Sequence, residues 1–233
     1  MTARKSLHWK AFLLALGIST AVFLPFVIYN GGYFIFIGDF NAQQIPFYKL
    51  VHQAVREGNF GWSWTTDLGA NFIGSYTFYL LGSPFFWLTL PFPSEAVPYL
   101  MGPLLILKFG CASLTGFIYL KRYVRTPDYA VLGGLLYAFS GFSVYNIFFN
   151  HFHEAIIVFP LLLWSLDEYM ASKQRGVFAL VVFASCFMNY YFFVGQVVFC
   201  VIYFFLRLAV KDWRIGLRDF ALLACEAVLG LLC

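Results

Sequence analysis

The chain has 233 residues, of which 61% are hydrophobic, 22% aromatic and only 11% charged. Soluble domains carry roughly 25% charged residues, so an ordinary water-soluble fold is excluded and lipid is the solvent against which the sequence must be read. The net charge of +4 lies in short basic clusters between apolar stretches, which is the pattern of membrane topology and not a nucleic-acid footprint.

The first stretch of spanning length, residues 11–29, follows Arg4, Lys5 and Lys10. It exceeds a signal-peptide core and has no clear small-residue cleavage site, so it reads as an uncleaved anchor with a cytoplasmic N-terminus. Asp39 comes next, in Gly38-Asp39-Phe40-Asn41-Ala42-Gln43-Gln44-Ile45-Pro46-Phe47-Tyr48. An acid at the mouth of a first span, flanked by Phe34, Phe36, Phe40 and Phe47, is placed to act as a general base. Asp39 or Asn41 would equally suit the N-cap of the helix that follows. Ile45, Tyr48, Val51 and Val55 recur at helical spacing and Gly58 offers a stop, so residues 42–57 are expected to form an amphipathic helix on the outer membrane surface.

Trp62 and Trp64 read first as interfacial anchors, with sugar stacking as the second reading. Asp67 and Asn71 share their loop, in Asp67-Leu68-Gly69-Ala70-Asn71. Residues 73–92 are apolar but broken by Gly74, Gly82-Ser83-Pro84 and Pro91, and are assigned to an interfacial or re-entrant helix. Residues 97–120 are then the second span. Lys108 sits near its middle, where an ionisable group costs about 2.5–3.5 kcal/mol on insertion scales. It requires a partner: a lipid phosphate, or a carboxylate such as Glu226.

Basic clusters at Lys121-Arg122-Tyr123-Val124-Arg125, Lys173-Gln174-Arg175 and Lys211 to Arg218 should all be cytoplasmic. Charge parity therefore makes residues 129–149 and 155–170 spans and divides 176–210 into two short helices with an outer turn at Asn189-Tyr190-Tyr191-Phe192. Asn150-His151-Phe152-His153-Glu154 falls on the same side as Asp39. A metal-binding reading of His151, His153 and Glu154 is unsupported, because i and i+2 diverge on a helix and no third strong ligand is evident. The cluster is expected to be a polar wall of a site, with a capped loop as the alternative. The five cysteines lie in apolar segments without CxxC spacing, so neither a disulfide framework nor a zinc site is expected. The chain stops at Cys233, inside a seventh apolar helix that begins near Asp219, and reads as the N-terminal piece of a longer bundle or a truncated copy. The expected fold is all-α: a single polytopic transmembrane bundle over residues 1–233 with about six to seven spans and a large outer loop at about residues 30–96.

No Walker-type loop, Gly-x-Gly-x-x-Gly, Asp-x-Asp or Gly-x-Ser-x-Gly occurs in the chain. Transfer chemistry on the outer side would therefore need a donor other than a nucleotide sugar. Asp39-Phe40-Asn41-Ala42-Gln43-Gln44 with Pro46-Phe47, Asp67 to Gly74, Tyr79 to Phe85 and Leu90-Pro91-Phe92-Pro93 resemble the first outer loop of the bacterial YfhO membrane proteins. Leu135 to Gly141, Phe159-Pro160-Leu161-Leu162 and Asn189-Tyr190-Tyr191 are similar to that family as well. The resemblance implies a GT-C-like glycosyltransferase that takes a sugar from a polyprenyl-phosphate carrier at the outer face and passes it to an envelope glycopolymer such as a teichoic acid. It implies a catalytic base in the first outer loop, here Asp39, with Glu154 as second choice, and two helices lying on the membrane in that loop. Gln43, Asp67, Asn71, Lys108, His151, His153, Asn189 and Tyr190 are the candidates for substrate binding. No cofactor is implied; the expected partners are membrane lipid, the lipid-linked sugar, the acceptor, and further spans or a partner subunit. The location is a bacterial cell membrane with the first large loop outside. A lipid-linked precursor transporter or flippase, or a non-catalytic membrane fragment, is the alternative.

Overall fold

The computed structural model describes residues 2–66 and 68–232, and Asp67 lies outside the described residues. Helix α1 (Thr2–Tyr29) runs antiparallel to α5 (Val97–Leu120). Ser113 Oγ donates to Ala11 O at 3.0 Å and Ser19 Oγ lies 3.4 Å from Ile106 O, while Gly110 and Gly102 of α5 pack against Phe12 and Val27. Small residues let helix backbones approach closely where lipid tails supply no hydrophobic drive between helices. The same device joins α5 to α6 (Pro127–Ala138), where a Cβ on Gly134 would sit 2.5 Å from Ser113 O.

The chain then breaks at Phe139-Ser140, and Ser140 caps the short α7 (Gly141–Tyr145). Helix α8 (Phe152–Ser172) packs on α5 and ends at Lys173 in the left-handed conformation, φ 57°. Helix α9 (Val177–Met188) packs between α8 and α11 (Leu217–Leu232), and α10 (Tyr190–Ala209) follows after Asn189.

Among the described residues five segments are long and apolar enough to cross a membrane: Ser6–Tyr29, Ser94–Leu120, Pro127–Phe148, Phe152–Ser172 and Tyr190–Ala209. The all-α polytopic bundle is as expected; of the four stretches assigned to the first four spans, 11–29, 97–120 and 155–170 are continuous helix and 129–149 is helix interrupted at Phe139-Ser140. The segment after residue 176 differs in proportion. It divides at Asn189 as the sequence predicts, but into helices of 12 and 20 residues. At 1.5 Å per residue the shorter covers about 18 Å of a roughly 30 Å hydrocarbon core. The expected four-residue turn is one residue, because Asn189 Oδ1 accepts from Phe192 N at 3.2 Å and starts α10 at once.

The basic clusters meet at one end of the bundle, here the basic end. Lys10 pairs with Asp128 at 2.6 Å, Lys121 Nζ lies 3.1 Å from His8 Nε2, Arg122 pairs with Glu168, and Lys173 reaches Asp219 at 3.6 Å.

Residues 30–96 cover the opposite end. A π-turn (Phe40–Gln44) leads into α2 (Ile45–Glu57), which stops at Gly58 with φ 76°. The apolar face of α2 does form, but it is turned onto protein: Tyr48 and Val51 are fully buried and α2 packs on the start of α5. The sequence placed this face on lipid because nothing in its periodicity distinguishes a lipid surface from the end of a bundle. A two-rung hairpin pairs Trp62-Ser63 (β1) with Ala70-Asn71 (β2). The apolar 73–92 stretch forms α3 (Phe72–Tyr76), a second π-turn (Thr77–Leu81) and the one-turn α4 (Pro84–Trp87). It too packs inward, burying Phe72, Tyr76, Leu80, Phe85 and Phe86 in one cluster with α2 and α5. His52 staples the halves of this cap, accepting from Ser94 Oγ at 3.0 Å through Nδ1 and donating from Nε2 to Thr89 O at 3.1 Å.

Candidate functional site

The covered end of the bundle contains a cluster of buried polar side chains drawn from five segments. Lys108 of α5 pairs with Glu154 of α8 at 2.9 Å, with both side chains essentially without solvent contact. The ammonium also donates to Asn150 O and Asn150 Oδ1, each at 2.9 Å. A lysine has three donors, so all three are engaged within the protein. The expected partner was a lipid phosphate or a carboxylate such as Glu226; in the structure it is Glu154. Glu226 instead accepts from the backbone of Gly176 and Ala179 at 3.0 and 3.4 Å, and so caps the N-terminus of α9. Sequence patterning cannot choose between two acids on different helices, and only the packing of α5 on α8 decides it.

The cap, the start of α8 and the α9–α10 junction contribute the remaining members. Ser83 Oγ, at the N-cap of α4, donates to Glu154 Oε1 at 2.5 Å, and Asn150 Nδ2 donates to the Tyr48 hydroxyl at 3.4 Å. Burial, with the Glu154 charge nearby, pushes the Tyr48 phenol upward, so it stays protonated. Gln44 Oε1 accepts from His151 Nδ1 at 3.2 Å, and the Gln44 amide donates to Gln43 Oε1 at 3.3 Å, which fixes the orientation of both. Asn189 Nδ2 donates to His151 O at 3.3 Å. Three buried atoms of this cluster have no hydrogen-bond partner among the described residues: Glu154 Oε2, His151 Nε2 and His153 Nε2. Unspent acceptor capacity this concentrated marks a candidate site.

His151 lies between the rings of Phe78, Tyr79 and Phe152. Burial, reinforced by the Lys108 charge, holds its pKa down at about 3, so the ring is neutral with Nε2 bearing a lone pair. The folded state then resists a proton that the unfolded chain accepts near pH 6.5. Stability is therefore expected to be full above about pH 6.5 and to fall as the pH drops toward 3, by at most about 1.4 kcal/mol per pH unit from this group. Thermal unfolding in detergent, compared with His151→Gln, measures the slope; equal slopes would assign the acid sensitivity elsewhere.

Asp39 lies just ahead of the π-turn that carries Gln44 to His151. The neighbouring Gly38 stands against Phe148, two residues before Asn150. Asp39 is half-buried, and its carboxylate forms no hydrogen bond and no ion pair with any described residue. The cap expected of Asp39 or Asn41 is not made, since a π-turn opens the segment and Asn41 Oδ1 accepts from Phe36 N at 3.1 Å instead. Asn71 caps α3 by accepting from Gly74 N at 2.7 Å. His153 is buried against Phe109, and Tyr190 is exposed with its ring against Phe78. Among the described residues no three His, Cys, Asp or Glu side chains converge where a metal ion could be held.

The structure thus brings Lys108, Glu154, His151 and Asn189 together, joins Gln43 to them through Gln44, and leaves Asp39 five positions ahead of Gln44 in the chain. It leaves Asn71 apart on the hairpin. Gln44, Tyr48 and Ser83 belong to the cluster and were not singled out as site residues from sequence, whereas Asn150 belongs to the run expected to form a polar wall. A signal existed for the first two, since Gln44 and Tyr48 are four residues apart on the face that carries Val51 and His52.

A family model described as Bacterial membrane protein YfhO matches residues 11–233. No curated protein and no solved structure gives a significant match.

Proposed function

Because the chain belongs to the YfhO family of bacterial membrane proteins, we propose that it transfers a sugar from a polyprenyl-phosphate carrier to a cell-envelope acceptor, a teichoic acid or a similar glycopolymer. The observation that carries this reading is the half-buried Asp39 carboxylate, without a partner among the described residues, five positions before Gln44 of the buried polar cluster and at the end of the bundle opposite the basic clusters. Lysine and arginine excess favours the cytoplasm for the basic end, which supports an outer position for the Asp39 end.

In the proposed reaction an acceptor hydroxyl attacks the anomeric carbon of the donor sugar. The hydroxyl proton passes to an Asp39 oxygen, the bond from carbon to the phosphate oxygen breaks, and polyprenyl phosphate leaves with the bonding electrons. Lys108 and Glu154 serve as positioning residues, because their charges are spent on each other and on the cap. Gln43, beside Asp39, and the His151 Nε2 lone pair are assigned to hold the substrate. Tyr190, exposed at the same end, is assigned to flank it. A GT-C-like arrangement is part of the same proposal.

The test is direct. Protein in lipid vesicles is incubated with a radiolabelled polyprenyl-phosphate sugar and an envelope glycopolymer, and the expected result is free polyprenyl phosphate together with label in the polymer. An intact sugar–phosphate bond, with label moved across the bilayer, would overturn the reading in favour of a flippase.

A further inference from the structure

A second, separate feature lies on the opposite face of α2. Lys49, Gln53 and Glu57 are four residues apart, all exposed, and form one stripe along that helix. The stripe faces the hairpin that carries Trp62 and Trp64 across a groove of about 720 Å³, within the range of small-molecule sites. We propose that this groove binds a neutral oligosaccharide, seating sugar rings on the indoles of Trp62 and Trp64 and their hydroxyls along Gln53, Glu57 and Asn59.

The two indoles are 59% and 78% exposed, yet they are held in place. Their ring centroids are 5.8 Å apart at 69°, and Gly69 closes against both: a Cβ there would sit 2.9 Å from Trp62 Nε1 and 3.1 Å from Trp64 Cε3. Gly69 has φ 106°, which favours glycine, so turn and indole geometry are set together. Below, the buried Thr66 hydroxyl bonds both Ser63 Oγ, at 3.0 Å, and the Tyr76 hydroxyl, at 2.9 Å. The platform is therefore ordered before any ligand arrives, which spares the cost of ordering it.

The facing wall is ordered too. Glu57 takes Gln53 Nε2 on one oxygen at 2.9 Å and Asn59 Nδ2 on the other at 3.2 Å, a fixed row of donors and acceptors. Sugar hydroxyls both donate and accept, and the C–H face of a pyranose is apolar, so a row of amides and carboxylate opposite aromatic faces matches both sides of the ring. The Lys49 and Glu57 charges cancel, which selects a neutral glycan over a polyanion. Interfacial tryptophans that only anchor the protein need no polar stripe across from them. The site stands on its own geometry and is tested without any lipid donor.

The experiment is calorimetric titration of the protein in nanodiscs with cellotetraose, with chitotetraose, and with a poly(glycerol phosphate) oligomer. Saturable binding of a neutral tetrasaccharide is expected, weakened at least tenfold in Trp64→Ala and in Gln53→Ala, with Trp64→Phe falling between and the unfolding temperatures of all three unchanged. Absence of binding by both neutral probes, binding of the polyanion alone, or wild-type affinity in Trp64→Ala and Gln53→Ala would each overturn the proposal. Brominated-acyl lipids give an independent reading, because strong quenching of these indoles, undiminished by sugar, would make them membrane anchors.

Discussion

Lys108→Met alone is expected to destabilise the bundle by about 3–5 kcal/mol, the cost of leaving a buried carboxylate without its counter-charge. Glu154 is buried, its Oε1 is shared between Lys108 and Ser83, and its Oε2 has no partner among the described residues. Removing the ammonium also strips both Asn150 acceptors of their donor. Glu154→Gln alone should be costly for the mirror-image reason. The double variant, Lys108→Met with Glu154→Gln, removes both charges and should recover a coupling of about 1–3 kcal/mol relative to the sum of the singles. Thermal unfolding in detergent of the four proteins closes the cycle. Strict additivity would show that the two groups do not sense each other, contrary to the 2.9 Å pair.

Asp39→Asn should behave in the opposite way, harmless to the fold and severe for transfer. The carboxylate makes no hydrogen bond or ion pair with described residues, so unfolding should shift by no more than about 0.5 kcal/mol. An amide of the same shape cannot take a proton from the acceptor hydroxyl, and losing a general base lowers rates by about 10²–10⁴-fold. The loss should fall on kcat with KM nearly unchanged, since proton transfer belongs to the transition state. Transfer at the wild-type rate by stably folded Asp39→Asn protein would remove Asp39 from the chemistry. Glu154 would be a poor replacement, because its charge is already committed to Lys108.

Much of the architecture was legible in the chain because bilayers impose a length rule and basic clusters impose parity. Those two constraints located the first four spans and the break at Asn189, while helical periodicity ending at a glycine marked the Gly58 stop. The direction in which α2 and the 73–92 stretch turn their apolar faces was not legible, since the same periodicity serves a lipid surface and a protein surface. The polar cluster was half legible. Lys108 announced that it needed a partner, and His151 and Glu154 stood out as ionisable groups. Ser83 looked like a helix breaker, because a hydrogen bond between positions 71 apart leaves no trace in local sequence. The Lys108–Glu154 choice over Lys108–Glu226 is tertiary information of the same kind.

The Ser83–Glu154 bond also bears on how the protein is made. Ribosomes add roughly 5–20 residues per second, so about 4–14 s separate synthesis of the two partners, which lie 71 positions apart. Lys108 is likewise made well before Glu154, and α5 must approach the bilayer carrying a charge whose neutralising partner has not yet left the ribosome. The contacts that join α5, α8 and the cap through Glu154 can therefore form only once α8 has been made, so this part of the fold closes late.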